Sequence, residues 1–178
     1  MEAIRHLTSE ELEAGLEHIR SSPAAEGVVE MIVRRPSVGE REVLDEGRLD
    51  VEQGLVGDNW SARGIPDRDM QLTLMNSRTA ALVAQSRERW PLAGDQFFLD
   101  LDLSEENLPA GTRLLLGSAL IEVTPPPHTG CKKFVERFGL DAMVFVNSGV
   151  GKQLHLRGVN ARVVEPGAIR VGDTVARE

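Results

Sequence analysis

The chain has one cysteine, no tyrosine, two tryptophans and five phenylalanines in 178 residues. A single cysteine excludes an intramolecular disulfide, and a chain of this length can bury a core without a covalent or metal staple. With aromatics at only 4%, that core has to rest on Val, Leu, Ile and Ala, a composition that favours compact β structure. Long apolar runs are absent too: nothing approaches the ~20 residues that a membrane-spanning helix needs, so membrane insertion is not expected. Positive charge is scarce. The formal net charge is −8, which argues against general nucleic-acid binding, because neutralising phosphates requires a basic surface. Any anionic ligand must therefore be met by a local basic pocket. The opening "MEAIRHLTSEELEAG" lacks the charged n-region and apolar h-region of a secretory signal, and the expectation is a cytoplasmic protein.

What is present starts with a helix. Thr8 is a good N-cap with Glu11 three residues on, the pattern of a capping box, and Leu12, Leu16 and Ile19 then share one face. Pro23 follows the end of this segment, so residues 1–26 are expected to form a helical extension packed on a second part, residues 27–178. From Gly27 the texture becomes short β-branched runs separated by Gly and Pro. "MQLTLM" alternates like a strand, and Asn76 caps a helical run in which Ala80, Leu82 and Val83 supply apolar surface before Trp90 and Pro91. "FFLDLDL", "TRLLLG", "ALIEVT" and "VNARVVEPGAIRVGDTV" add strands linked by Gly-containing turns, at the spacing of a barrel or sandwich. A parallel βαβ architecture would need more helical crossovers. Gly-Asp occurs at Gly57-Asp58, Gly94-Asp95 and Gly172-Asp173, which reads first as turn chemistry.

Several catalytic patterns fail. His6, His18, His128 and His155 lie too far apart for the usual zinc spacings. "SGVGKQ" has neither the leading Gly nor the Ser/Thr of a phosphate loop, and no G-x-S-x-G elbow is present. Cys131, in "PPPHTGCKKFVERFG", supports two readings. With Phe134, Val135 and Phe138 it forms the i, i+3, i+4, i+7 stripe of a buried helix face. In the first turn of that helix, beside Lys132 and Lys133, it is instead a thiol whose charged form is favoured: a nucleophile, sulfur carrier or soft-metal ligand. Arg63 and Arg68 stand in a Gly/Pro-rich loop suited to holding an anion, and Arg157 and Asn160 are weaker candidates of the same kind.

Three fragments in order, "GLVGDNWSARGIPDRDMQLTLMN", "ENLPAGTRLLLGSALIEVTPPPHTGCKKFVERFG" and "NARVVEPGAIRVGD", resemble the MOSC domain, named for the C-terminal domain of molybdenum cofactor sulfurases. The likeness runs from about Val28 to Val175. It implies a mainly β fold, a single antiparallel β-barrel with peripheral α-helices, including the capped one at the N-terminus. It further implies a molybdopterin-type molybdenum cofactor, with Cys131 as the metal ligand or as the carrier of persulfide sulfur. Asp58 and Arg68 would line the pocket, and Arg68 would meet the pterin phosphate. His128, Lys132 and Arg157 would complete the cofactor-binding set. Where several relatives have Gly-Glu-Asn, this chain has Gly94-Asp95-Gln96, and its approach to the cysteine is "PHTGC" where some use an arginine-containing one, an anion-binding side chain that His128 would replace. The implied activity is reduction of N- or S-oxygenated compounds with an electron-donor protein. The alternative is non-enzymatic sulfur carriage served by a cysteine desulfurase. Pyridoxal phosphate is not expected in this chain.

Overall fold

The computed structural model describes residues 4–178. Its strands are β1 (Glu26–Arg34), β2 (Glu42–Leu44), β3 (Glu46–Asp50), β4 (Gly54–Leu55), β5 (Leu72–Asn76), β6 (Phe97–Asp100), β7 (Arg113–Leu116), β8 (Ala119–Pro127), β9 (Val159–Glu165), β10 (Gly167–Arg170) and β11 (Thr174–Arg177). The helices are α1 (Ser9–Ala14), α2 (Leu16–Arg20), α3 (Ser77–Ala84), α4 (Lys132–Phe138), α5 (Leu140–Asn147) and α6 (Gly149–Gln153).

Seven strands close a barrel in the order β1-β11-β7-β8-β9-β5-β6, the ring being completed where β6 returns to β1. Closure removes the unpaired edges that an open sheet of this size would have to protect. β2 pairs with the far end of β1, and β10, β3 and β4 form a smaller sheet. The expected barrel is therefore present, and it is mixed: β5 and β6 run parallel, with Leu74 opposite Phe97 and Asn76 opposite Leu99. A parallel pair needs a long crossover. Here α3 and the 3₁₀ segment Arg87–Ala93 supply it, and the end of that crossover builds the site described below.

Two apolar layers follow from strand alternation. In β6, Phe97 and Leu99 face the barrel interior while Phe98 faces outward to the helices; Leu74 and Met75 of β5 divide the same way. In β1 the inward residues are Val29 and Ile32, three apart, because a bulge between Val29 and Met31 shifts the register and sends Met31 and Val33 outward. The outer layer packs Met31, Val33, Met75 and Phe98 against Leu12, Val83, Trp90, Phe134 and Phe138.

The N-terminal capping box forms as read: the Thr8 hydroxyl accepts from the Glu11 N–H and the Glu11 carboxylate from the Thr8 N–H, at 3.3 and 2.8 Å. The helix it starts is broken at Gly15 into α1 and α2, where any Cβ would press on the Leu82 side chain at 2.7 Å. Residues 1–3 of the expected extension lie outside the described residues. Asn76 caps α3 through its side chain, as its position predicts.

Candidate functional site

The site is organised by Asp95, which follows the crossover two residues before β6. Gly94 makes the turn at φ +89, a conformation that favours glycine, and the next residue drops into the interior with no exposed side-chain surface. An isolated carboxylate there would be costly. It is answered from two strands' worth of chain: His128 Nε2, just beyond β8, lies 2.9 Å from one oxygen, and Arg157 Nη1, just before β9, donates to the other at 2.5 Å. Burial alone would raise the Asp95 pKa; the Arg157 charge first, with His128 and the hydrogen bonds from both, holds it below the ordinary carboxylate value. Arg157 is itself buried, donates a second bond to the Ala93 carbonyl at 2.7 Å and lies 5.3 Å from the centre of the Phe134 ring.

The backbone is shaped to allow this. The β8–β9 register is irregular between Val123 and Pro127, where Pro125 to Pro127 remove ladder donors. Across from them Gly158 sits at φ +124; a Cβ there would lie 2.3 Å from the Leu74 carbonyl oxygen and 3.0 Å from His128. Only glycine lets the His128 ring and β5 approach together.

Cys131 is exposed and occupies the N-cap of α4, so the core-stripe reading holds for Phe134 and Phe138 but not for the thiol. No complete capping bond forms to the sulfur. Its pKa is nonetheless lowered, first by the Phe134 N–H. Partial burial opposes this, and the Lys133 N–H and the Arg157 and Arg137 charges add to the lowering. The loop before it is clamped by Asn147 at the end of α5, whose amide accepts from the Gly130 N–H at 2.8 Å and donates to the Gly130 carbonyl at 3.1 Å.

His128 and Arg157 are thus brought together on Asp95. Asp58 reaches the same turn indirectly: its buried carboxylate is held by the Arg35 guanidinium at 2.8 and 3.0 Å, and Arg35 also donates to the Gly94 carbonyl at 3.1 Å. Arg68 is on an exposed 3₁₀ turn, bonded to the Val51 carbonyl at 2.9 Å and to Glu52 at 3.2 Å, and it is not among the residues lining the cavity described next. Lys132 is the exposed first residue of α4. Asp95, Arg35 and Asn147 were not among the candidates read from the sequence.

Beside the cluster lies a cavity of about 460 Å³, lined by Pro125 to Pro127, His128, Thr129 and Arg157 among others. That volume lies in the range of small-molecule and cofactor sites. Two buried polar atoms at or next to its wall, Arg157 Nε and Asn160 Oδ1, have no hydrogen-bond partner. Among the described residues no group of three or more His, Cys, Asp or Glu could hold a metal ion.

A family model, the MOSC domain, matches residues 69–176, more than half of the chain. No curated protein matches. Among solved structures, the fold is similar to that of the YUAD protein from Bacillus subtilis, with a TM-score of 0.58 and 17% identity over 84% of this chain and 94% of that one. It is also similar to YiiM from Escherichia coli, with a TM-score of 0.56 and 23% identity over 85% of this chain and 69% of that one. YiiM from Geobacillus stearothermophilus gives a TM-score of 0.53 and 15% identity over 88% and 74%. At these identities the likeness speaks to the fold alone.

Proposed function

Because the chain belongs to the MOSC domain family, we propose that it binds a molybdopterin-type molybdenum cofactor with Cys131 as the protein's ligand to the metal. The observation that carries this reading is the chemistry of the donor set: one exposed thiol with a lowered pKa, two residues beyond Thr129, which lines a cavity together with His128 and the Arg157 guanidinium. A soft thiolate suits such a metal, and one protein ligand suffices when the cofactor brings the others. Once bound, the cofactor would supply two-electron oxygen-atom transfer, in which an N- or S-oxide loses its oxygen as water, using two protons and two electrons from a donor protein.

The chain's own residues have separate tasks in this reading. Asn147 holds the Gly130 backbone so that Cys131 is presented at the start of α4. Phe134 and Lys133 favour the thiolate through their N–H groups. Asp95 keeps Arg157 and His128 in place at the cavity wall. Arg68 and Lys132, both exposed, would serve only the outer part of a ligand.

The exposure of Cys131 favours a second reading, sulfur carriage, because a donor protein can reach the thiol. There the Cys131 thiolate would take the sulfane sulfur from a desulfurase persulfide, and the donor would leave as a thiolate. Metal analysis and pterin fluorescence on protein from a molybdate-fed host separate the two. Stoichiometric molybdenum with pterin is expected; neither, with one extra sulfur atom on Cys131, would overturn the cofactor reading in favour of the carrier.

A further inference from the structure

Four consecutive carbonyls of the turn before Asp95 are each taken by a different arginine. The Pro91 carbonyl accepts from Arg41 Nε at 3.1 Å, that of Leu92 from Arg137 Nη1 at 2.6 Å, that of Ala93 from Arg157 and that of Gly94 from Arg35. Two of these guanidiniums are neutralised, Arg157 by Asp95 and Arg35 by Asp58. Arg41 and Arg137 have no carboxylate partner among the described residues. Arg41 spends a second N–H on the Glu40 carbonyl at 3.1 Å, which leaves its Nη2 free, and Arg137 keeps both Nε and Nη2. Both groups face the open side of Gly94: a Cβ built there would find only Arg41 Nη2 at 3.9 Å and Arg137 Nη1 at 4.0 Å. On a chain of net charge −8, two half-buried cations held side by side over a glycine are not explained by solvation of the surface.

We propose that Arg41 and Arg137, across Gly94, form a binding site for a phosphate-class dianion. Two guanidiniums approaching from different directions match a tetrahedral oxyanion, whose oxygens diverge, better than a planar carboxylate. Two unpaired positive charges match a dianion. Like-charge repulsion supports the assignment: the Arg41 pKa is lowered first by burial and then by the Arg137 and Arg35 charges, and a bound anion would relieve it. Asp58, the carboxylate whose field reaches Arg41, is already committed to Arg35. Arg137 stands on α4, the helix whose N-cap is Cys131. The site stands independently of the molybdenum reading and involves neither Arg68 nor Lys132.

The test is titration of the metal-free protein with inorganic phosphate, followed by nuclear magnetic resonance and calorimetry. Saturable shifts of the Gly94 amide and the Arg41 and Arg137 side-chain N–H groups are expected. Arg41→Gln and Arg137→Gln are each expected to weaken phosphate binding at least about tenfold, whereas Arg170→Gln, on β10, leaves it unchanged. Repeating the titration on cofactor-loaded protein identifies the source: loss of binding assigns the site to the cofactor's own phosphate, and retained binding assigns it to a free or substrate phosphate. Absence of saturable binding by the unaltered protein, or shifts confined to other residues, would overturn the proposal without reference to any variant's folding.

Discussion

Replacing Asp95 by asparagine is expected to cost about 3–5 kcal/mol of folding stability, the usual penalty for removing one partner of a buried ion pair. Asparagine keeps the shape and loses the charge, so the Arg157 guanidinium is left in the interior with its neutralising group gone. Chemical denaturation measures the effect, and a loss within about 1 kcal/mol, the range of an exposed pair, would contradict it. The same pairing has a pH signature. The Asp95 pKa is depressed in the fold, so its contribution is fully present above the ordinary carboxylate value of about 3.9 and is lost as pH falls through the depressed value. Acid unfolding of the unaltered protein is therefore expected to lose its Asp95 component in the asparagine variant.

The second large effect concerns loading rather than stability. Cys131→Ser is expected to abolish molybdenum or sulfur loading, since a serine hydroxyl is neither a soft ligand nor a persulfide carrier. Its effect on stability has the opposite character. Cys131 is exposed and sits at an N-cap without a complete capping bond, a position where serine is among the preferred residues. The variant is thus expected to be as stable as the parent or up to about 1 kcal/mol more stable. Thermal melting and metal content measured on the same preparation check both parts. A destabilised variant that still carries molybdenum would refute both.

Much of the barrel was legible because its signals are local. Alternation in "MQLTLM" and "FFLDLDL", the Thr8 capping box and the Asn76 cap depend on residues within a few positions of one another, and each forms. The parallel β5–β6 pair was not visible, because it depends on where a crossover returns. Nor were α5 and α6 anticipated: α5 is apolar on most of its surface, and α6 begins at a glycine.

The site divides the same way. The three Gly-Asp dipeptides do all make turns, with glycine φ values of +88, +89 and +95. For Asp173 the carboxylate stays within the turn, accepting from the Arg170 N–H. For Asp58 and Asp95 the dipeptide hides a buried ion pair whose partners stand 23 and 62 residues away. No local pattern reports such a pairing. The substitution of Gly94-Asp95-Gln96 for Gly-Glu-Asn was the one available pointer. Cys131 carried two valid local readings, helix stripe and helix start, and only the packing of Phe134 and Phe138 beneath it leaves the sulfur outside.

Alkylation of Cys131, followed against pH on metal-free and cofactor-loaded protein, tests most directly whether this thiol is the metal's ligand. Metal-free protein is expected to react at neutral pH without unfolding, with an apparent pKa below the ordinary thiol value of about 8.5, because the Phe134 and Lys133 N–H groups and nearby arginines favour the thiolate. Loaded protein is expected to be protected, and removing the cofactor is expected to restore reactivity. An equal rate in both states would contradict ligation by Cys131, whatever the metal content of the preparation.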